Sequence, residues 1–479
     1  MEPHCIGASP LACSLLPSRQ RCFISPLSSS SPLGASALLT DLYQLTMLQS
    51  YADGNMNGVA VFEFFARRLP PGWGFLLAAG LEQALDYLEC LRFSAEDLDW
   101  LASTGRFTPE FLGSLADLRF TGEVHAVAEG MVVFANEPLL RVVAPLREAQ
   151  LVETRLINLL HYSTLIASAA ARVRLAAAER LLVDFGLRRA HGAEAGMMAS
   201  RSCALAGFDG TSNMLAGQLW GLKLYGTMAH SYIEAHESER EAFAHFARSF
   251  PAGTTLLIDT YDTEAAARAL PPLLRQLATE GIHIGMVRID SGDLGVHAKA
   301  VRALLDAGGA REVGIFASGN LDAVGVADLL RGGAPIDGFG VGTRLVTAAE
   351  HPYLDCAYKL QEYGGQPRRK QAEGKATWPG RKQVWRQRDG QGRLLRDALA
   401  LESEPGKGEP LLQPVMREGR RLAPSPPLGE VCARARQALT ELPEPLRQLE
   451  QPEEAPDPVV VSEQVKHLAA RLDRQRQGI

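Results

Sequence analysis

The chain has 479 residues, 46% of them hydrophobic and 22% charged, with a formal net charge of −6. That length suits two or three domains with ample material for a core, and the acidic balance gives no general reason to bind nucleic acid or an anionic membrane. No apolar stretch approaches the ~20 residues of a membrane span, and the seven scattered cysteines include no C-x-x-C pair, so neither a disulfide framework nor a zinc site is expected and the cytoplasm is the expected compartment.

Residues 1–37 are rich in Ser and Pro, with Glu2 as their only acid and arginines at 19 and 21. They read as a transit-like peptide or as a disordered extension, and the extension is the expectation. Folding is expected to begin near Thr40, capping a helix from Asp41 to about Asp53 that Gly54 stops. The strand VAVFEFF (59–65), a helix over 78–91 after the turn PPGWG, and a compact β region over 120–143 make an N-terminal α/β domain, 38–150. A helical pattern follows over 150–179, with Val152, Leu156, Leu159 and Leu160 on its apolar positions.

A barrel-like α/β domain is then expected over 151–350. Its apolar runs each end abruptly in small, polar or acidic residues before a helix-like stretch: LLVDFGLRRAHG (181–192), LLIDTYD (256–262), MVRIDSGD (286–293), VGIFASGN (313–320) and FGVGTR (339–344). Asp259, Asp290, Ser318 and Gly342 follow one another at 31, 28 and 24 residues, about one βα unit each. Parallel strands are buried on both faces and so read as continuous apolar runs, and their carboxyl ends are where such sheets hold ligands. Strands and hairpins over 351–440, one turning at Asp389–Gly390, are expected to return to the N-terminal domain. Residues 441–479 supply a Pro- and Glu-rich linker and a terminal helix from about Ser462.

Several positions carry chemistry. Arg188 and Arg189 after a strand suit bidentate phosphate contact and suit a solvated basic loop equally. Phe185 can stack on a flat ring or fill the core. Thr211, Ser212 and Asn213 in AGFDGTSNMLAG can donate to an anion or cap the next helix. His230, with Thr227 in GTMAHS, is a nucleophile or proton carrier only if it shares a rim with the acids. Arg288 and Asp290, two apart on one strand, point the same way and can hold a phosphate and a sugar hydroxyl, with Asp293 close by and Mg²⁺ screening charge, or form a structural ion pair. Asp259 and Asp262 repeat the theme one strand earlier. Gly319-Asn320 and the run 340–343, which includes Gly342 and Thr343, resemble loops whose amides cradle phosphate. Tyr43 reads as a helix residue filling the core, and the basic turn 364–370 as solvated.

Taken in order, LLTDLYQLTM, EFFARRLP, DFGLRRAHG, GFDGTSN, GTMAHS, VRIDSGDL, SGN, GVGT and GGQPRRK, from Leu38 to Lys370, resemble the nicotinate phosphoribosyltransferase family. The resemblance implies a type II phosphoribosyltransferase fold, an irregular α/β barrel with a second α/β domain built from N- and C-terminal segments. It implies a homodimer with active sites at the interface, and a reaction of nicotinate with phosphoribosyl pyrophosphate that yields nicotinate mononucleotide and pyrophosphate. ATP hydrolysis to ADP and phosphate is coupled to that step, in NAD biosynthesis, with Mg²⁺ (or Mn²⁺) as the metal and no ligand set assigned to it. By motif, His230 matches the transient phosphohistidine, and Tyr43 from the partner subunit with Phe185 sandwiches the pyridine ring. Arg288, Thr227 and Arg188 meet carboxylate or phosphate, Asp290 the ribose, and Ser318, Gly319, Asn320, Gly342 and Thr343 the 5′-phosphate. Asp259 joins the substrate-binding set, and Ser212 favours nicotinate because an acid there would repel its carboxylate. The competing readings are a nicotinamide- or quinolinate-type transferase and a catalytically silent metabolite-binding relative.

Overall fold

Five of the apolar runs become neighbouring strands of one parallel sheet. In the computed structural model, which describes residues 36–372, 376–449 and 458–477, the order is Gly210–Thr211, Leu181–Asp184, Gly338–Val341, Gly314–Ser318, His283–Ile289 and Ala252–Leu257. Every pairing in it is parallel. The sheet curls as half a barrel, so the strands' carboxyl ends share one rim. Val183, Leu256, Val287, Ile315 and Phe339 are fully buried, which explains why these strands read as unbroken apolar runs.

Helices Thr263–Thr279, Leu294–Ala307 and Ala323–Arg331 follow three of the strands. Asp262, Asp293 and Asp322 cap them, each accepting from a backbone amide of the first turn. Asp262 and Asp293 therefore serve the helices, whereas their partners in sequence, Asp259 and Asp290, stay on the rim.

The second layer is an antiparallel sheet of seven strands, ordered Gln366–Pro367, Cys356–Tyr363, Val59–Ala66, Pro138–Pro145, Glu123–Ala126, Gln413–Arg417 and Arg420–Arg421. Segments from both ends of the chain thus interleave, Phe64 pairing with Leu140 on one side and Tyr358 on the other. Lys382–Arg388 and Leu394–Leu401 pair in a smaller sheet with Glu409–Pro410 and Val459–Val461. Their turn spans 389–393, closed by Asp389 donating its amide to the Arg393 carbonyl (2.9 Å), and is longer than the two-residue turn expected. Helix Glu153–Ala177, 25 residues long, is buried nearly all round between the two layers.

The N-terminal helix runs Leu42–Asp53 and Gly54 ends it, but Thr40 does not cap it. Asp41 takes the N-cap position, and its carboxylate accepts instead from Thr154 Oγ1 (2.9 Å). The next helix starts at Leu81, not 78, because Gly80 turns there with φ 93°. Helices Ala95–Ser103 and Pro109–Ala116 were not expected, although Ser94 with Asp97 forms a capping box and Thr108 caps before Pro109. The terminal helix is Glu463–Gln477. The extension expected over 1–37 lies outside the described residues up to 35, as does the linker over 450–457. Among the described residues no helix is long and apolar enough to cross a membrane.

A buried ion pair fastens the layers. Arg201, on helix Ala193–Leu205, donates both terminal nitrogens to Glu129 (2.8 and 2.6 Å). Glu129 also accepts from the Gly80 amide (2.7 Å), and its carbonyl accepts from Arg434 (2.7 Å). Removing one partner strands the other charge in a buried site, a loss of about 3–5 kcal/mol. Arg201→Met should therefore lower the unfolding free energy by about that much in denaturant titration, and Glu129→Gln in the same chain should recover part of it. A single-variant loss below about 1 kcal/mol would mean that the pair is solvated.

Candidate active site

Arg288 projects from the end of strand His283–Ile289 and is only 13% exposed along its side chain. Its Nη2 donates to Asp290 Oδ1 (2.9 Å), its Nε to Ser318 Oγ (2.8 Å) and its Nη1 to Thr227 Oγ1 (3.0 Å). The Ser318 hydroxyl in turn donates to Asp290 Oδ1 at 2.6 Å. The guanidinium plane also meets the Phe185 ring, with Cζ 5.3 Å from the centroid, inside cation–π range. Phe185, Thr227, Arg288, Asp290 and Ser318 are thereby gathered from four separate segments.

Asp259 sits one strand away. Its Oδ2 accepts from the Asp290 amide (2.9 Å) and from Ser291 Oγ (2.6 Å). Its Oδ1 is buried without a hydrogen-bond partner among the described residues. The next residue, Thr260, reaches His230: Oγ1 lies 3.2 Å from Nδ1. His230 heads helix His230–Glu234, and this contact ties the imidazole to the same rim as the acids.

A second wall lies beside Phe185. Gly210–Thr211 pairs with the end of Leu181–Asp184, which brings Ser212 alongside; its amide and hydroxyl both approach the Asp184 carbonyl (2.9 and 3.2 Å). Asn213 takes the capping role: its Oδ1 accepts from the Ala216 amide and its Nδ2 is engaged by Ser200 Oγ (3.1 Å). Of the polar side chains of that loop, Ser212 alone remains half-buried beside Phe185.

The glycines matter where space is shortest. A Cβ on Gly319 would fall 2.2 Å from the Asp290 carbonyl oxygen, and its φ is +105°. A Cβ on Gly340 would strike the Phe185 ring at 2.6 Å, and one on Gly342 the Phe185 carbonyl oxygen at 2.9 Å. These glycines let neighbouring strand ends close up, a packing demand separate from any cradling of phosphate. Asn320, in the left-handed region at φ 53°, and Thr343 stand exposed on the same loops. Ser318 differs from them: it is 2% exposed, with its hydroxyl committed to Arg288 and Asp290.

Two expected residues stand outside this network. Arg188 is exposed on the short 3₁₀ turn Leu187–Arg189. Tyr43 is 48% exposed and does not fill the core as its helix position suggested. Its neighbours include Asp41, Gln44, Glu153 and Thr154; burial, then the Glu153 and Asp41 charges, raise its phenol above the ordinary value, so the ring stays neutral. Thr260, Ser291 and Asp184 were missed. Asp184 carries the same signal as Asp259 and Asp290, an acid closing an apolar run.

Among the described residues no group of three or more His, Cys, Asp or Glu side chains is arranged to hold a metal. Asp259 and Asp290 do offer hard oxygens one strand apart, which suits Mg²⁺ carried in by a diphosphate, because that ion prefers one or two carboxylates plus phosphate oxygens.

Three family models cover most of the chain: the nicotinate phosphoribosyltransferase N-terminal domain over residues 38–161, the nicotinate phosphoribosyltransferase family over 181–377, and the C-terminal domain over 407–469. A nicotinate phosphoribosyltransferase of Mycobacterium tuberculosis is 47% identical over 437 residues, covering 91% of this chain and 94% of the relative. One from Bacillus subtilis is 40% identical, covering 73% of each. The crystal structure of human nicotinic acid phosphoribosyltransferase superposes with a TM-score of 0.78 at 32% identity, covering 90% of this chain and 99% of that one. With family models over most of its length, a 47% identical relative and a human structure of the same overall fold, this chain belongs to the nicotinate phosphoribosyltransferase family.

Proposed function

We propose that this protein transfers a phosphoribosyl group from phosphoribosyl pyrophosphate to the ring nitrogen of nicotinate, giving nicotinate mononucleotide for NAD biosynthesis, with ATP hydrolysis coupled to the transfer. The observation that carries the reading is the convergence of Arg288, Asp290, Ser318 and Thr227 on one guanidinium above Phe185. The pyridine lone pair forms the new bond to ribose C1, the C1–O bond breaks, and its electron pair leaves with the diphosphate. Positive charge grows on the sugar and negative charge on the leaving group. Asp290 lies where a ribose hydroxyl or the cationic sugar is stabilised, while Gly319, Asn320, Gly342 and Thr343 turn backbone amides toward the 5′-phosphate. Bound Mg²⁺ supplies charge to the diphosphate, and the unpartnered Asp259 oxygen with Asp290 would hold it.

The flat ring stacks on Phe185, and Ser212 with Arg188 faces its carboxylate. In a homodimer the partner copy supplies Tyr43 to the open side, consistent with a neutral phenol that is half-exposed. His230 takes the phosphoryl group of ATP and yields it to water. Because Nδ1 faces Thr260, the nitrogen that meets phosphorus is Nε2.

Incubation with nicotinate, phosphoribosyl pyrophosphate, Mg²⁺ and ATP should yield the mononucleotide; no product from well-folded protein would remove the reading. Arg288→Ala should lower kcat/KM by about 100-fold or more, the loss typical of one well-placed donor to developing charge. His230→Ala should leave a slow reaction that ATP no longer accelerates, and full ATP stimulation in that variant would end the phosphohistidine assignment. Ser212→Asp should cut the preference for nicotinate over nicotinamide by about tenfold or more through like-charge repulsion; an unchanged ratio of the two kcat/KM values would place the carboxylate elsewhere. Mixing inactive Tyr43→Ala and Asp290→Asn chains should restore turnover, since one mixed site is intact; failure despite confirmed subunit exchange would refute a shared site.

A further inference from the structure

Behind the proposed base pocket lies a carboxylate that reaches no substrate. Asp184 closes strand Leu181–Asp184 and is 1% exposed. Its Oδ1 accepts from the Gly186 amide (2.8 Å), and its Oδ2 from the hydroxyls of Ser200 (2.8 Å) and Thr211 (2.8 Å). Both hydroxyls also serve the Asn213 loop, and Ser200 Oγ has the Gly196 carbonyl (3.1 Å) as a second, longer acceptor. Thr211 Oγ1 already accepts from the Asn213 amide (3.0 Å), and Ser200 Oγ from Asn213 Nδ2 (3.1 Å). The shortest donations run from Thr211 and from Ser200 on helix Ala193–Leu205 into Asp184. Burial pushes the Asp184 carboxyl above the ordinary range, and the Gly186, Thr211 and Ser200 donors oppose that shift.

The two segments joined in this way are the two walls of the pocket. Gly186 follows Phe185 directly, and Thr211 precedes Ser212 directly. A short carboxylate with three charge-assisted bonds fixes both at one spacing. Deeply buried anions are kept only where donors offset the lost hydration, so the arrangement is costly unless that spacing is needed.

We propose that Asp184 is a positioning residue for base recognition, holding the Phe185 wall and the Ser212 wall at the separation that fits the pyridine ring and its carboxylate; this rests on the nicotinate reading above. The phosphate loop at Gly342 packs against the Phe185 carbonyl, but Thr211 pairs along the opposite edge of strand Leu181–Asp184 from Gly338–Val341, so the larger effect falls on the base. Replacing Asp184 by Asn points an NH₂ group either at two hydroxyls that now donate to the carboxylate, and would have to redirect their protons, or at the Gly186 amide. Thr211→Val keeps the shape and removes the donor to Asp184 together with the acceptor of the Asn213 amide, whereas Thr211→Ser keeps both.

The test compares the KM values for nicotinate and phosphoribosyl pyrophosphate in wild type, Asp184→Asn, Thr211→Val and Thr211→Ser. Asp184→Asn and Thr211→Val should raise the nicotinate KM by about tenfold or more, the effect of one lost hydrogen bond to a charged group. The KM for phosphoribosyl pyrophosphate should stay within about twofold, and Thr211→Ser should behave as wild type. An unchanged nicotinate KM in Thr211→Val overturns the inference even if Asp184→Asn fails to fold. Equal increases for both substrates also overturn it, because they mark general damage. Wild-type protein that does not use nicotinate at all fails the underlying reading, a result distinct from either.

Discussion

Arg288 is where separate strand ends become one site. A guanidinium is planar and always charged, and its N–H directions are fixed relative to one another. Here Nε, Nη1 and Nη2 are spent on Ser318, Thr227 and Asp290, which lie on three different loops, while Cζ lies 5.3 Å from the Phe185 ring centroid. Moving any one of these loops breaks a bond whose direction the other two define. The positions of Asp290, the Ser318 loop and the Phe185 ring are thus set together within the chain itself, which is the preorganisation that charge-stabilising catalysis requires. A lysine, with a freely rotating ammonium, has no such power to coordinate three partners.

The acids around this centre divide into two kinds by their place in the βα unit. Those closing a strand, Asp184, Asp259 and Asp290, accept from neighbouring loops; those opening a helix, Asp262, Asp293 and Asp322, accept from first-turn amides. Asp322 does both, since its other oxygen pairs with Arg344, which follows Thr343. In this way the two exposed small-residue loops are linked through a helix cap.

The parallel sheet was legible because strands buried on both faces leave unbroken apolar runs, and the two-residue spacing of Arg288 and Asp290 was enough to place them side by side. The link from His230 to Thr260 was not, because thirty residues and a change of strand separate them, and no local periodicity encodes such a meeting. Asn213, which suited an anion or a helix cap alike, is a cap, and so is Asp293: short polar residues before a helix serve either purpose, and only the direction of the bonded amide decides. Tyr43 looked like core because its helix is amphipathic only weakly, and exposure depends on what the opposite layer leaves uncovered. Helices Ala95–Ser103 and Pro109–Ala116 carried ordinary start signals, in Ser94 with Asp97 and Thr108 before Pro109, that were passed over beside stronger patterns.

The interleaved antiparallel layer has a consequence for how the protein is made. Strand Val59–Ala66 gains Pro138–Pro145 early, but its other edge is covered only when Cys356–Tyr363 arrives. During synthesis, nearly three hundred residues must leave the ribosome while an apolar edge with unpaired amides waits for its neighbour. A nascent chain of this kind depends on helpers that shield the strand, or on quick emergence of the remainder. Premature termination anywhere in the half-barrel would release a sticky fragment rather than a smaller working enzyme.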